Sequence, residues 1–474
     1  MASRGNEIGL DSLISVDIRS WFLKHLQVNV PVLKIMSNNT MASLIQFAIE
    51  SLSPELLPGT DSQKVVPQNS EAQTALVNTN GDSQVSQDHG NSSPTLPAKS
   101  GNNGVKNTMI TNGSPIDWNA ESCPPIDKAD VIINTEVHAV CCPPHIIVLT
   151  GSTGLIGHHL LSHFLSFPSV EEIICLAIRS LALRLKQNTL PQDPRISYYE
   201  GDLAHPLLGL TEQEAEVIFL EADVVVHNAA DTSHLKHYVD VQAANVGSTV
   251  ALARLCLGRQ IPFHYISSAG LGIYHEKSST AGFPPGPIVV PPEKIPDGSF
   301  GYACSKYACE RFLERMSEEY GMRIFIHRPS TIIREGKDAI GAMAEKDWIN
   351  AFLVHVKKLR AVPTMERKDG ALDLVNVRNV CEDISRQLFA SNLKPGYSSN
   401  VTYVHEVGDK VIPLDTLANL GIEDQGTPYD VVPRAEWMSR TISAGLHPGV
   451  AALIDDMAEG VEEYPKLLKG ASSS

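Results

Sequence analysis

The sequence predicts an α/β protein built on a doubly wound parallel sheet, and three observations carry that prediction. From about Pro143 onward, short apolar runs alternate with helix-length stretches, the pattern of parallel strands covered by helices. The first of these runs passes directly into a glycine-rich turn and then into an apolar helix. The chain of 474 residues, 43% hydrophobic, is long enough for two or three domains with a sizeable core.

Four segments follow in order. Residues 1–53 read as helical: Asp11 and Ser12 offer N-cap chemistry before the amphipathic run LISVDIRSWFLKHL, and a second apolar helix runs from about Met41 to Leu52. Residues 54–142 are rich in Ser, Asn, Gln, Gly, Thr and Pro and poor in large apolar side chains. Such a stretch buries too little surface to offset its ordering entropy and reads as a flexible linker. Residues 143–330 carry the alternating α/β pattern. In 331–474 the regularity gives way to mixed short elements, a smaller α/β part expected to pack on the sheet domain and bind substrate.

Charge and composition exclude several classes. Lysine and arginine number 38 against 54 aspartates and glutamates, a formal charge of −16 with no basic run, so nucleic acid is not an expected partner. No apolar stretch approaches the ~20 residues that span a bilayer, and the N-terminus lacks a signal-peptide pattern. The expectation is a soluble cytoplasmic protein with no membrane partner. The eight cysteines contain no Cys-x-x-Cys pair, which fits reduced thiols. His138, Cys141, Cys142 and His145 cluster, but His145 opens a strand and no second ligand pair follows, so no metal site is expected.

Within 143–330 the elements can be justified one by one. HIIVLT is the first strand, and it leads into GSTGLIG, in which Gly151, Gly154 and Gly157 follow Gly-x-x-G-x-x-G spacing. Glycine there permits a tight turn, close approach of backbone to a pyrophosphate, and close helix–strand packing, with the helix N-terminus facing the diphosphate. Thr153, Leu155 and Ile156 belong to the same candidate dinucleotide cradle. The second strand, EIICLAI, ends at Arg179 where an acidic residue would hold the ribose hydroxyl of NAD. Arginine suits the 2′-phosphate of NADPH, with Arg184 about one turn on, although a solvated arginine at a helix start is the plainer alternative.

The third strand ends in YYEGDL, where Asp202, beside Leu203, either accepts from an adenine amino group or is an ordinary turn aspartate. HNAA closes the fourth strand and brings Asn228, Ala229 and Ala230 near the dinucleotide, and Asn245 opens the next helix. HYISS then ends at Ser267 and Ser268. About one loop later come Tyr302 and Lys306, four apart and so on one helix face. A Tyr-x-x-x-Lys pair alone is weak in a chain with twelve tyrosines. Preceded by a dinucleotide turn and a strand-end serine, it reads as an acid beside a cation. Lys306 is expected to lower the phenol's pKa from about 10 and to hold the nicotinamide ribose, and Ser268 to bond a substrate carbonyl.

This ensemble resembles the extended short-chain dehydrogenase/reductase family over roughly residues 143–470, which implies a Rossmann-type fold. The runs CLAIRS, EGDLAHPLLGL, HNAADTSHLKHY, QAANVGST, HRPSTI, GALDLVNV, YVHEVGD and AGLHPGVAAL look like the thioester reductase domains of fungal polyketide and peptide megasynthases. The resemblance places Ser268, Tyr302 and Lys306 on the family's catalytic positions and Pro329 on the proline that packs near the nicotinamide. GLDSLISVDIRSWFLKHLQVNVPVLKI is similar to the second half of a polyketide acyl carrier protein, with Ser12 on the serine that carries 4′-phosphopantetheine. Half a carrier bundle leaves an apolar face uncovered, so an unstable or vestigial carrier, or a fragment of a longer synthase, is expected.

The implied activity is NADPH-dependent reductive release of a carrier-bound polyketide thioester, delivered by its own carrier or a separate polyketide synthase, to an aldehyde or onward to the alcohol. A redox-neutral relative that cyclises by Dieckmann condensation is the nearest rival, though such relatives often lack the tyrosine that stands here at 302. A non-catalytic NADP sensor would have no need of the serine, tyrosine and lysine. A sugar-nucleotide epimerase would share them, but not the carrier-like segment.

Overall fold

A computed structural model describes residues 116–123, 126, 140–233, 236–275, 282–291, 295–298, 300–334, 347–365, 371–390, 401–408, 410–447, 450–451, 454 and 470–473, and before these positions 18–19, 21–22, 25–26, 28, 30, 35, 41–50 and 52. Ser12 and His138 lie outside the described residues. In the first segment Met41–Glu50 forms helix α1, and Phe22, Val28, Val30, Ile35, Leu44 and Ala48 gather into a small apolar cluster.

Trp118–Glu121 forms a single helical turn, α2, capped by the Asp117 carboxylate, which accepts from the amides of Asn119 and Ala120. Composition assigns this stretch to the linker. It is instead docked on the sheet domain, because Trp118 and Ile116 pack against the main apolar core. One large aromatic side chain anchors what the surrounding residues could not.

Six strands come next in chain order: β1 Ile146–Thr150, β2 Glu172–Ile178, β3 Ile196–Glu200, β4 Val224–His227, β5 Phe263–Ile266 and β6 Ile324–Pro329. Between them run helices α3 Leu155–Phe164, α4 Leu181–Lys186, α5 Glu212–Glu221, α6 Tyr238–Gln242, α7 Ser248–Leu257 and α8 Gly301–Tyr320. Every residue of β4, β5 and β6 is buried, as parallel strands covered on both faces must be. The C-terminal part adds β7 Thr331–Ile333, α9 Trp348–Leu359, β8 Ala361–Pro363, β9 Ala371–Asn376, α10 Val377–Leu388, β10 Val401–Glu406, β11 Lys410–Pro413, α11 Leu420–Gln425, β12 Asp430–Val432, α12 Arg434–Ser443 and β13 Gly470–Ser473.

The main sheet has the order β13-β10-β6-β5-β4-β1-β2-β3. Its strands are parallel except β13, which runs antiparallel along β10. Chain direction across the sheet reverses between β1 and β4, and the crevice outside the strand ends at such a switch point is where open α/β sheets bind ligands. One core cluster, on the side of α7 and α8, includes Phe263, Tyr265, Phe312 and Tyr403. A second, on the side of α3 and α10, includes Leu149, Phe164, Val226 and Ile384.

A division at residue 330 does not describe this fold. β10 pairs with β6 from Val401↔Ile324 to Glu406↔Pro329, and α10 supplies Val377, Val380, Cys381 and Ile384 to a core of the main sheet. The remainder of the C-terminal part has its own core around Phe352, Leu374, Tyr429 and the fully buried Trp437, beside the three-stranded sheet β11-β9-β7 and the pair β12-β8.

Candidate functional site

The glycine turn lies at the carboxyl end of β1, beside the switch point. Gly151 has φ +70, and a Cβ there would stand 2.8 Å from the Ala229 backbone and from the Asn228 side chain. Gly157 is tighter still: a Cβ would come within 2.0 Å of the Gly151 carbonyl oxygen. Gly154 has more room, its nearest atom at 3.4 Å, and it opens α3 with no side-chain cap. The first turn of a helix holds N–H groups without intrahelical partners, and on α3 these are the amides of Leu155, Ile156 and Gly157. The arrangement is one that a diphosphate fits and that any side chain at 157 would fill.

Thr150 ties the two central strands together. Its hydroxyl accepts from the amides of Asn228 (3.1 Å) and Ala229 (3.0 Å) and bonds His227 Nδ1 at 2.8 Å. His227 Nε2 meets Thr249 at 3.1 Å, and burial pulls its pKa down to about 3, so the ring is neutral and structural. Asn228 donates to the Gly151 carbonyl at 3.2 Å. Ala230 follows on the same strand-end loop, half-buried.

A bulge in β2 between Cys175 and Ile178, with Ala177 at φ 57, turns the strand end toward Arg179. Arg179 Nη1 stands 3.8 Å from the Asp202 carboxylate, and Arg184 Nε donates to the Arg179 carbonyl at 3.0 Å. The three residues therefore share one corner, at the ends of β2 and β3. Asp202 also accepts from the Ala204 amide at 3.0 Å, so it is a turn aspartate as well as a member of that corner; Leu203 beside it is packed on the core.

One buried bond brings Lys306 to the strand end that precedes Ser268. Lys306 Nζ donates to the Ile266 carbonyl at 2.5 Å, which seats α8 against the end of β5. Ser268, two residues on, caps the turn that follows by accepting from the Gly270 amide at 3.1 Å. The ammonium lies 5.6 Å from the Tyr302 ring centroid and 4.5 Å from that of Tyr265. Burial pulls the Lys306 pKa down to about 8 and pushes the Tyr302 phenol up to about 12. The expectation that Lys306 lowers the phenol's pKa is not met here: the phenol is raised, and removal from water, which disfavours the phenolate, is the cause.

Asn245 also departs from its expected place. It lies in a π-turn, Ala243–Gly247, between α6 and α7. Its side-chain amide donates to the Asp231 carbonyl (3.0 Å) and to Ser305 Oγ (2.8 Å), while its oxygen accepts from the Asp231 amide (2.7 Å). Both N–H groups are bound to protein, so Asn245 holds the loop after β4 to the helix of Tyr302 instead of presenting a donor to a cofactor. Its backbone carbonyl accepts from Thr249 and Cys309.

Pro329 ends β6, fully enclosed, and beside it Arg328 makes a buried ion pair with Glu310 through Nε (3.0 Å) and Nη2 (2.7 Å). Glu310 lies one turn beyond Lys306 on α8, so this pair anchors the same helix. Tyr265, Glu310 and Arg328 escaped the sequence reading. No spacing rule marks them, because their partners are far apart in the chain. Among the described residues no group of three or more His, Cys, Asp or Glu side chains could hold a metal ion. His145 Nδ1 faces Glu171 at 3.3 Å, and the Cys141 amide donates to Asp223. No described helix is long and apolar enough to cross a membrane.

The family described as Male sterility protein, an NAD-binding family, matches residues 149–384. The chain is 44% identical to the highly reducing polyketide synthase bet1 of Neocamarosporium betae over 99% of its own length, which is 16% of that synthase. Among solved structures it is similar to the terminal R domain from the myxalamid PKS-NRPS biosynthetic pathway, with a TM-score of 0.59 at 24% identity over 74% of this chain and 88% of that one. It is also similar to a thiolation-reductase di-domain from an archaeal non-ribosomal peptide synthetase, with a TM-score of 0.57 at 16% identity over 97% of this chain and 85% of that one. By its strand order, its glycine turn and these likenesses, the chain has the Rossmann-type fold of the extended short-chain dehydrogenase/reductases, matches an NAD-binding family over residues 149–384, and is a sequence relative of fungal highly reducing polyketide synthases.

Proposed function

We propose that the chain releases a carrier-bound polyketide thioester by NADPH-dependent reduction to an aldehyde. The observation that carries this reading is the seating of Tyr302 and Lys306 against the end of β5, through the bond from Lys306 Nζ to the Ile266 carbonyl, beside Ser268. The cradle at Gly151 and Gly157, which a Cβ would fill, supports a dinucleotide there. Gly151, Thr153, Gly154, Leu155, Ile156 and Gly157 would hold its diphosphate. Arg179 and Arg184 favour a 2′-phosphate, with Asp202 and Leu203 alongside.

When bound, NADPH supplies the hydride for the thioester carbonyl. Tyr302 and Ser268 then stabilise the charge that develops on the carbonyl oxygen, and Tyr302 donates the proton. A phenol held near 12 is fully protonated at neutral pH and able to act as that acid. Lys306, charged below about pH 8, offsets the phenolate left behind and would hold the nicotinamide ribose when the cofactor is bound. The thiohemiacetal so formed collapses to aldehyde and thiol. In the same reading, Ser12 carries phosphopantetheine.

Incubation with NADPH and a medium-chain acyl-S-pantetheine, with aldehyde trapping, tests this. NADPH consumption with aldehyde or alcohol product, lost in Tyr302→Phe, is the expected result. Thioester loss with NADPH bound but unoxidised would replace reduction by cyclising release, and neither event would leave a binding module.

A further inference from the structure

We infer that residues 116–123, just before the sheet domain, are a strap that positions the helix carrying Tyr302 and Lys306, with Trp118 as its key residue. The inference rests on the reading of Tyr302 as the proton donor. The Trp118 ring stands edge-on to Tyr238 at 4.9 Å and to Tyr307 at 5.8 Å between centroids, and Tyr307 is the residue after Lys306 on α8. Its indole N–H donates to the buried Pro296 carbonyl at 2.8 Å. Ile116 presses on the same loop, since a Cβ on Gly298 would meet Ile116 Cδ1 at 2.6 Å.

That loop leads into α8, and the start of α8 is wedged against the strand-end segment. The Gly301 amide donates to the Lys236 carbonyl at 2.9 Å, and a Cβ at 301 would come within 2.5 Å of that oxygen. The Tyr238 amide donates to the Gly298 carbonyl at 2.8 Å. The strap grips this second support too: Glu121 accepts from the Tyr238 hydroxyl at 2.5 Å and from Gln242 at 2.6 Å. Gln242 ends α6, where the chain enters the π-turn from which Asn245 reaches Ser305. Trp118 and Glu121 therefore hold both elements that fix where α8 begins, one residue before Tyr302. The strap acts through the helix and touches neither Ser268 nor Lys306 in any bond described above, so Trp118 is a positioning residue.

The test uses the full chain with Trp118→Phe, which keeps a ring but loses the bond to Pro296, Trp118→Ala, and Tyr302→Phe as reference. NADPH binding, saturated turnover of an acyl-S-pantetheine, and amide hydrogen exchange over 300–307 are measured on each folded variant. Trp118→Ala should lower kcat by about tenfold or more, the scale on which a misplacement near 1 Å is felt. NADPH Kd should stay within about threefold, and exchange at the start of α8 should rise in both tryptophan variants. Wild-type kcat in Trp118→Ala, with Tyr302→Phe inactive, would overturn the strap while leaving the proposed reaction standing. An active Tyr302→Phe would overturn the reaction instead, and the strap would then be judged by exchange alone: unchanged exchange over 300–307 in Trp118→Phe refutes it, whether or not Trp118→Ala folds.

Discussion

Replacing Gly157 by alanine is the sharpest way to test whether the turn is a cradle. The added Cβ would stand 2.0 Å from the Gly151 carbonyl oxygen, 2.7 Å from its carbon and 2.8 Å from Ser152 Cα. All three are backbone atoms, so no side chain can rotate out of the way. Relief needs α3 and the turn to separate by about 1.4 Å, the shortfall from the ordinary 3.4 Å contact seen at Gly154. Overpacking of this kind costs about 1–3 kcal/mol of stability, and it opens the cradle at the point where a diphosphate would meet the amides of α3. NADPH affinity should therefore fall by roughly a hundredfold, the cost of losing two charge-assisted bonds to backbone N–H groups. Gly154→Ala separates the two effects, because its φ is −85 and its Cβ has room within the fold; it should melt like the wild type, so that any loss of NADPH affinity there comes from crowding the diphosphate alone. Fluorescence titration with NADPH, alongside a thermal melt, reads both quantities. Wild-type affinity in a folded Gly157→Ala would refute the cradle.

Three further outcomes follow from other parts of the structure. Arg179→Ala should weaken NADPH binding by roughly three- to tenfold and leave NADH unchanged, less so at high salt because Arg179 is 79% exposed; equal effects on the two cofactors would detach Arg179 from the 2′-phosphate. Lys306 has a folded pKa near 8 against 10.5 unfolded, so the unfolded chain binds more protons between those values and stability rises with pH across that window. Relative to Lys306→Met, the wild type should gain about 2 kcal/mol between pH 7 and 10 in denaturant titrations; a flat difference would mean the lysine is not desolvated. Glu310→Gln leaves Arg328 charged and uncompensated and should destabilise the fold by about 3–5 kcal/mol, which a shift in denaturant midpoint measures.

How legible these features are in the sequence depends on the reach of the interaction behind each one. β1, β2 and β4 are rich in Ile, Val and Leu, and β5 in aromatic residues, each bounded by glycine or polar turns, so local pattern suffices to place them, and Gly151, Gly154 and Gly157 follow from spacing. Lys306 and Tyr302 are legible as a pair because helix geometry puts residues four apart on one face. Their titration is not, because it depends on how much of Tyr265 and the end of β5 closes over them. Asn245 was readable as a helix-start asparagine, but its partners Asp231 and Ser305 lie 14 and 60 residues away, and nothing local names them. Trp118 sits in a stretch whose composition argues for no structure at all. Its docking follows from one aromatic ring finding Tyr238 and Tyr307, a pairing that no window of sequence contains.

The return of the chain after residue 331 matters for how the site is held. Ser330 stands between β6 and β7, where a two-domain reading would put a hinge. Its amide donates to the Glu406 carbonyl at 3.0 Å, which fixes it to β10, and its hydroxyl donates to the Asp373 carboxylate at 2.7 Å, which fixes it to β9. The same carboxylate oxygen accepts from the Gly408 amide at 2.6 Å, and Gly408 lies so close to β9 that a Cβ would meet the Leu374 carbonyl at 1.7 Å. Three segments from separate parts of the chain thus meet on one aspartate, directly after Pro329. A rigid swing of the C-terminal part about residue 330 would break both Ser330 bonds and unzip the register between β6 and β10. The chain at Pro329 is therefore continuous with the sheet, and Asp373, more than any loop, holds the segment that follows it to β9 and to the end of β10.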